Sequence, residues 1–189
     1  MHLAIVTSPA FEVVSLDLAK QNLGIFHALQ DELVATKLQG AIAYVQEHCS
    51  IQLAEAEFVL TADTLTPNGL PLRLLPYPLI SISKFEIIRA GATDYEEVAA
   101  ADYRVDFYGN IPRLSLRNSV TLSGSEACVK VTFKAGFSSV AAIPAQLINA
   151  VLMVCHHTYE NPGVILVGKS ASALPNMDMF LKDWRVSNV

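Results

Sequence analysis

The period at which apolar residues recur changes twice along this chain, and that change dictates what it can fold into. Val34, Leu38, Ala41, Val45 and Cys49 recur at spacings of four and three, which lays one apolar stripe along a helix. From about Ser50 the texture becomes that of strands. Val129, Val131 and Phe133 alternate with Lys130, Thr132 and Lys134, the pattern of a strand with one buried face. Beyond Pro144 the helical period returns in Leu147, Val151, Val154 and Thr158. The expected fold is therefore α+β: a small helical bundle from the N- and C-terminal helices, with an antiparallel β insertion between them. Its domains would be residues 1–49 with 138–189 as a helical body, and 50–137 as the inserted β domain.

Local signals sharpen that layout. Ser15 is a good N-cap for a short helix ending at Gly24, with Asp17 in the first turn, where the helix dipole favours an anion. A second helix spans about Ala28 to His48, with Asp31 and Glu32 near its start. Gly40 within it costs about 1 kcal/mol relative to alanine, which predicts the close approach of another helix. Strands are expected at Ile51–Thr61, Leu70–Leu75, Ile80–Arg89, Tyr103–Phe107, Arg113–Leu116 and Cys128–Lys134, with a turn at Thr66–Gly69 and a break at Pro76-Tyr-Pro78. Pro144 suits a first helical position, and Asn161-Pro162-Gly163 stops that helix. A last helix, about Asn176 to Trp184, places Met177, Phe180, Leu181 and Trp184 on one side.

Charge narrows the function classes. Only 16% of the 189 residues are charged, where roughly 25% is usual, and 52% are hydrophobic. Such a chain has little surface that is comfortable in water, which favours burial of part of it against partners. The net charge is −5 and the 13 lysines and arginines are scattered, with no basic stripe to neutralise a nucleic-acid backbone. The N-terminal stretch lacks the pattern of a signal peptide, and no apolar run reaches membrane-span length. Cys49, Cys128 and Cys155 form no CxxC pair, so reduced thiols in a cytoplasmic protein are expected.

The motifs that invite a chemical reading lack the context that chemistry needs. Gly163-Val-Ile-Leu-Val-Gly168-Lys169-Ser170 matches the phosphate-loop pattern letter for letter, which keeps a nucleotide-binding enzyme as a distant alternative. That motif requires a strand before it and a helix after it, but here a helix precedes and Pro175 follows closely. Cys155, His156 and His157 are adjacent on a helix, so their side chains diverge by roughly 100° per residue and cannot easily close on one metal ion. Asp94, Glu96 and Glu97 read as a solvated acidic face beside Gly91. No catalytic residue, metal or cofactor is expected, and Trp184 suits either a core anchor or a partner contact.

Read in order, the residues resemble a known family. Ser15-Leu-Asp-Leu-Ala-Lys20, Asp31-Glu32, Pro76-Tyr-Pro-Leu79, Asp102-Tyr-Arg-Val-Asp106, Val129-Lys-Val-Thr-Phe133 and Ala135-Gly-Phe137 run along the chain. The densest cluster is Ile143-Pro-Ala-Gln-Leu147, Ala150, His157, Tyr159-Glu-Asn161, Val167-Gly168 and Leu174-Pro175. Together they resemble the head–tail connector (adaptor) proteins of tailed bacteriophages and prophages, in the subgroup whose helical connector carries an inserted β domain. Cys49-Ser50 departs from the Thr-Gly that many relatives have after the second helix.

The resemblance implies a non-enzymatic ring of about twelve identical subunits joined head to tail by heterologous contacts. The ring would assemble in the host cytoplasm and end at the virion head–tail junction, between the portal protein and a head-completion or tail protein, with DNA passing through. A stopper-type completion protein is the alternative structural role. Val164, Ile165, Leu166 and Val167 are expected to bridge to an adjacent subunit. Phe180, Leu181, Trp184 and Arg185 are expected to contact the portal or help close the ring.

Overall fold

The computed structural model describes residues 1–66, 71–108, 111–118, 120–124, 126–161 and 181–186. The fold is mixed α and β with antiparallel sheets, in two compact units. One comprises Met1–Ala10 with Ala54–Ser138, the other Phe11–Leu53 with Ser139–Val189.

The first unit holds the strands β1 (His2–Ile5), β2 (Ala56–Ala62), β3 (Leu72–Arg73), β4 (Leu79–Ile87), β5 (Glu96–Glu97), β6 (Tyr103–Tyr108), β7 (Ile111–Leu116) and β8 (Val129–Ala135). They form a five-stranded sheet in the order β1-β2-β8-β4-β5 and a three-stranded sheet in the order β3-β7-β6. β8 lies between β2 and β4, antiparallel to both, and its alternation is the one the sequence displays: Val129, Val131, Phe133 and Ala135 are buried. Across the β2–β8 ladder Phe58 faces Phe133, and their rings stack at 5.8 Å between centroids. Phe85 of β4 meets Tyr103 of β6 edge to face at 5.4 Å, and Leu72 and Leu114 of the smaller sheet join the same core. The two sheets thus share one apolar interior.

Four strands depart from expectation, among them β5, a short pairing with β4 in the acidic stretch where no strand was expected. β1 was not foreseen, because His2-Leu-Ala-Ile-Val6 carries no alternation of apolar and polar residues; its pairing partner lies more than fifty residues away in β2. β2 starts at Ala56 instead of Ile51, since the residues after Cys49 serve to close the preceding helix. In β4, register shifts at Leu79/Ser81 and Ile82/Lys84 break the alternation and leave Ile80 exposed, while Phe85, Glu86 and Ile87 are all buried.

The second unit holds α1 (Leu16–Leu23), α2 (Asp31–Cys49) and α3 (Ala145–Glu160), preceded by a 3-10 turn at Val140–Ala142. Ser15 caps α1 as expected, its hydroxyl accepting from the Leu18 amide, and Gly24 ends it in the left-handed region at φ 71°. The α2 stripe of Val34, Leu38, Ala41, Val45 and Cys49 is buried in full. It packs against α3, whose Leu147, Ala150, Val151, Val154 and Cys155 are buried in turn. Pro144, expected as the first helical residue, is instead the N-cap of α3, which begins at Ala145.

Two positions on α2 lead to stability predictions. Gly40 is exposed, and a Cβ built there meets nothing within 4 Å, so the expected close approach of a helix is corrected: open space surrounds it. Gly40→Ala is therefore expected to stabilise by about 0.5–1 kcal/mol, read as a raised midpoint in denaturant unfolding. Ser50 closes α2 at φ 56°, with its amide bonded to the Glu47 carbonyl and the Ile51 amide to the Gln46 carbonyl. This cap geometry suits glycine. Ser50→Gly should add about 1 kcal/mol in the same measurement, since a left-handed L-residue carries roughly that cost.

Candidate interaction surfaces

Among the described residues, the groups able to do chemistry lie apart from one another. Among the described residues no set of three or more His, Cys, Asp or Glu side chains could hold a metal ion. Cys155 is buried, His156 exposed and His157 half-buried, so the three diverge as helix geometry requires. The cysteines are free and buried. Burial pushes the Cys49 thiol up to about 11, against a smaller lowering by Arg185, and burial also raises Cys128 and Cys155. Thiols held protonated in this way are poor nucleophiles. Asp94, Glu96 and Glu97 are exposed, and Glu96 pairs with Arg89 at 2.7 Å.

A depression of about 460 Å³ in the β unit is lined by Leu65, Pro71, Leu116, Val120 and Leu122, with Ser115 and Arg117 among its polar groups. Ser115 accepts from Arg104, Arg117 donates to the Tyr103 carbonyl, and the Thr64 hydroxyl accepts from the Thr66 amide.

On the solvent side of the five-stranded sheet, charges of both signs neutralise one another. Lys84 and Lys130 reach Glu86 at 2.7 and 3.5 Å, and Lys134 reaches Glu55 at 3.5 Å. The hydrogen bond from Lys84 holds the Glu86 carboxyl below the usual carboxylate range, with Lys130 adding to it and burial opposing. This face is balanced, not basic, and offers no track for a phosphate backbone.

Apolar side chains left in water are the conspicuous feature. Leu3 and Ile5 of β1 pair with Leu60 and Phe58, whose side chains enter the core, yet Ile5 is 64% exposed. The core face of the sheet thus runs on past the core itself. The second place is the α1–α2 corner, where Phe26 is 86% and Leu29 91% exposed and Leu33 is half-exposed beside them in the first turn of α2. An apolar residue just before an N-cap often packs on the first turn beyond it, which here would bring Leu29 onto Val34. Its exposure shows that this staple is not made.

The terminal residues singled out from sequence divide. Val164, Ile165, Leu166, Val167 and Phe180 lie outside the described residues, as does the Gly163–Ser170 motif. Leu181, expected to meet a partner, is fully buried, so its surface is already spent within the chain. Trp184 is partly exposed and donates from Nε1 to Gln146 Oε1 at 3.3 Å, and Arg185 is exposed. Sequence reasoning missed Phe26 and Leu29 because apolar residues flanking a helix usually pack onto it.

This fold has solved counterparts. The chain superposes over its whole length on a chain in the neck of an empty gene transfer agent (GTA) particle computed with C6 symmetry, at a TM-score of 0.75 and 21% identity. A chain in the neck of the native GTA particle computed with C12 symmetry gives 0.73 and 22%, and one in the native GTA virion 0.73 and 23%. In each case the likeness covers 100% of this chain and 97% of the other. No family model and no curated protein matches the chain. No described helix is long and apolar enough to cross a membrane.

Proposed function

We propose that this chain is a structural head–tail adaptor, which forms a ring between the portal and a head-completion or tail protein of a phage or prophage particle, with DNA passing through the ring. The observation that carries the reading is the end-to-end likeness in fold to a chain of a neck computed with C12 symmetry. The connector-like order of motifs from Ser15 to Pro175 supports it independently, as do the low charge and the apolar side chains left in water. In this reading the helical unit is the ring body, and the β unit is the segment Ala54–Ser138 inserted within it, joined by the N-terminal Met1–Ala10. The ring has about twelve copies, and each interface joins two different surfaces of one chain, as a closed head-to-tail ring requires.

Within the ring, Val164, Ile165, Leu166 and Val167 bridge to the adjacent copy. Trp184 and Arg185, with Phe180, meet the portal or close the ring, and the buried Leu181 anchors them. Replacing Ile165 and Val167 together with aspartate is expected to abolish assembly, because two charges would have to be desolvated in an apolar contact. Sedimentation should then show a monomer, with far-ultraviolet circular dichroism unchanged from wild type. Assembly at wild-type levels in that double variant would sink the bridging role.

A further inference from the structure

We infer that the α1–α2 corner, built on Phe26, Leu29 and Leu33, is the seat on one copy for the apolar segment Val164–Val167 of the next. The inference rests on the ring reading above and names the receiving half of its interface.

The corner is firmly held, so its exposed side chains are presented by a fixed backbone. Lys20 of α1 pairs with Asp31 of α2, the Ile25 amide bonds to the Lys20 carbonyl, and the Ile25 side chain is buried. Gln30, the N-cap of α2, makes no side-chain cap bond; its Oε1 instead accepts from the hydroxyl of Tyr159 near the end of α3. Phe26 and Leu29 project from this pinned turn into water. Side chains of that size bury well over 100 Å² each when covered, which makes them strong anchors for a partner.

Chain length identifies the occupant. α3 ends beside the corner, as the Tyr159–Gln30 bond shows, and the chain is described again at Leu181, where Trp184 bonds to Gln146 in the first turn of α3. The 16 residues of α3 separate those points by roughly 24 Å. Positions 162–180 join them, and a connection of that length can span on the order of 60 Å. The connection is thus more than twice as long as the direct path between its ends requires. Positions 164–167 follow soon after the end of α3, which lies at the apolar corner, and they are four consecutive branched apolar residues with no charge until Lys169. Their apolar side chains suit the exposed Phe26 and Leu29, beside which the charges of Lys20 and Asp31 are paired with each other, and a repeat of one contact from copy to copy propagates around a ring.

The test mixes two full-length chains, one with Leu29→Cys and one with Ile165→Cys, and treats them with a short bismaleimide. Because each chain carries one introduced thiol and the three native thiols are buried, a 29–165 link can form only between copies. The expected result is a covalent dimer joined 29–165 by peptide mass spectrometry, absent from either chain alone and lost when the Leu29→Cys chain also carries Phe26→Asp. No 29–165 dimer in the mixture would overturn the inference, as would a dimer that survives Phe26→Asp. The ring reading fails separately. A wild-type ring without the 29–165 link removes this contact and leaves the ring, whereas the link without a closed ring removes the ring and leaves the contact.

Discussion

Phe133→Ala is expected to destabilise the β unit by about 3–5 kcal/mol, the usual cost of deleting a buried aromatic ring. Phe133 is fully buried on the central strand β8, stacked on Phe58 across one ladder and paired in register with Ile82 across the other. Both neighbouring strands are fixed by backbone hydrogen bonds, so they cannot collapse into the void. Thermal unfolding should show a midpoint lowered by more than about 10 °C, given the size of the unit. A shift of only a degree or two would mean that the sheet does not hold its interior as described.

Gly136→Ala should be comparably damaging through the backbone. Gly136 follows β8 at φ 119°, and a Cβ there would lie 2.7 Å from the Ala54 carbonyl oxygen and 2.9 Å from the Glu55 Cα. Its amide also donates to the Pro78 carbonyl, and the neighbouring Phe137 carbonyl accepts from the Glu55 amide, so this backbone is pinned from two directions. Strained dihedrals and an added methyl in a packed site each cost roughly 1–3 kcal/mol, and here both apply. The expected loss is about 2–5 kcal/mol by denaturant titration, while Gly40→Ala acts in the opposite direction. Equal responses at the two glycines would contradict the close approach at Gly136.

Where side-chain period alone decides structure, the amino-acid sequence was legible. The α2 stripe, the α1 caps and the alternation of β8 were readable because each depends on residues within one or two turns or pleats. β1 was hidden, since its strand character comes from pairing with β2 and not from its own pattern. The bulges of β4 were hidden for a similar reason: only the ladder with β8 shows where an extra residue is accommodated. Gly40 was misread because a helical glycine signals either close packing or nothing, and only the surroundings distinguish them.

The candidate surface was legible in kind more than in place. Low charge and a high apolar fraction pointed to surface completed by a partner, and exposed Ile5, Phe26 and Leu29 give that surplus a location. Leu181 lay on the apolar side of the expected last helix together with Phe180 and Trp184, yet it is consumed by the interior. Sequence cannot separate an apolar residue that builds a core from one that waits for a neighbour. Burial can.

Native mass spectrometry of the purified full-length chain over a wide concentration range tests the central claim most directly. The adaptor reading predicts a closed oligomer near twelve subunits, with no open series of larger species, as a ring of heterologous contacts requires. A monomer at every concentration would contradict it.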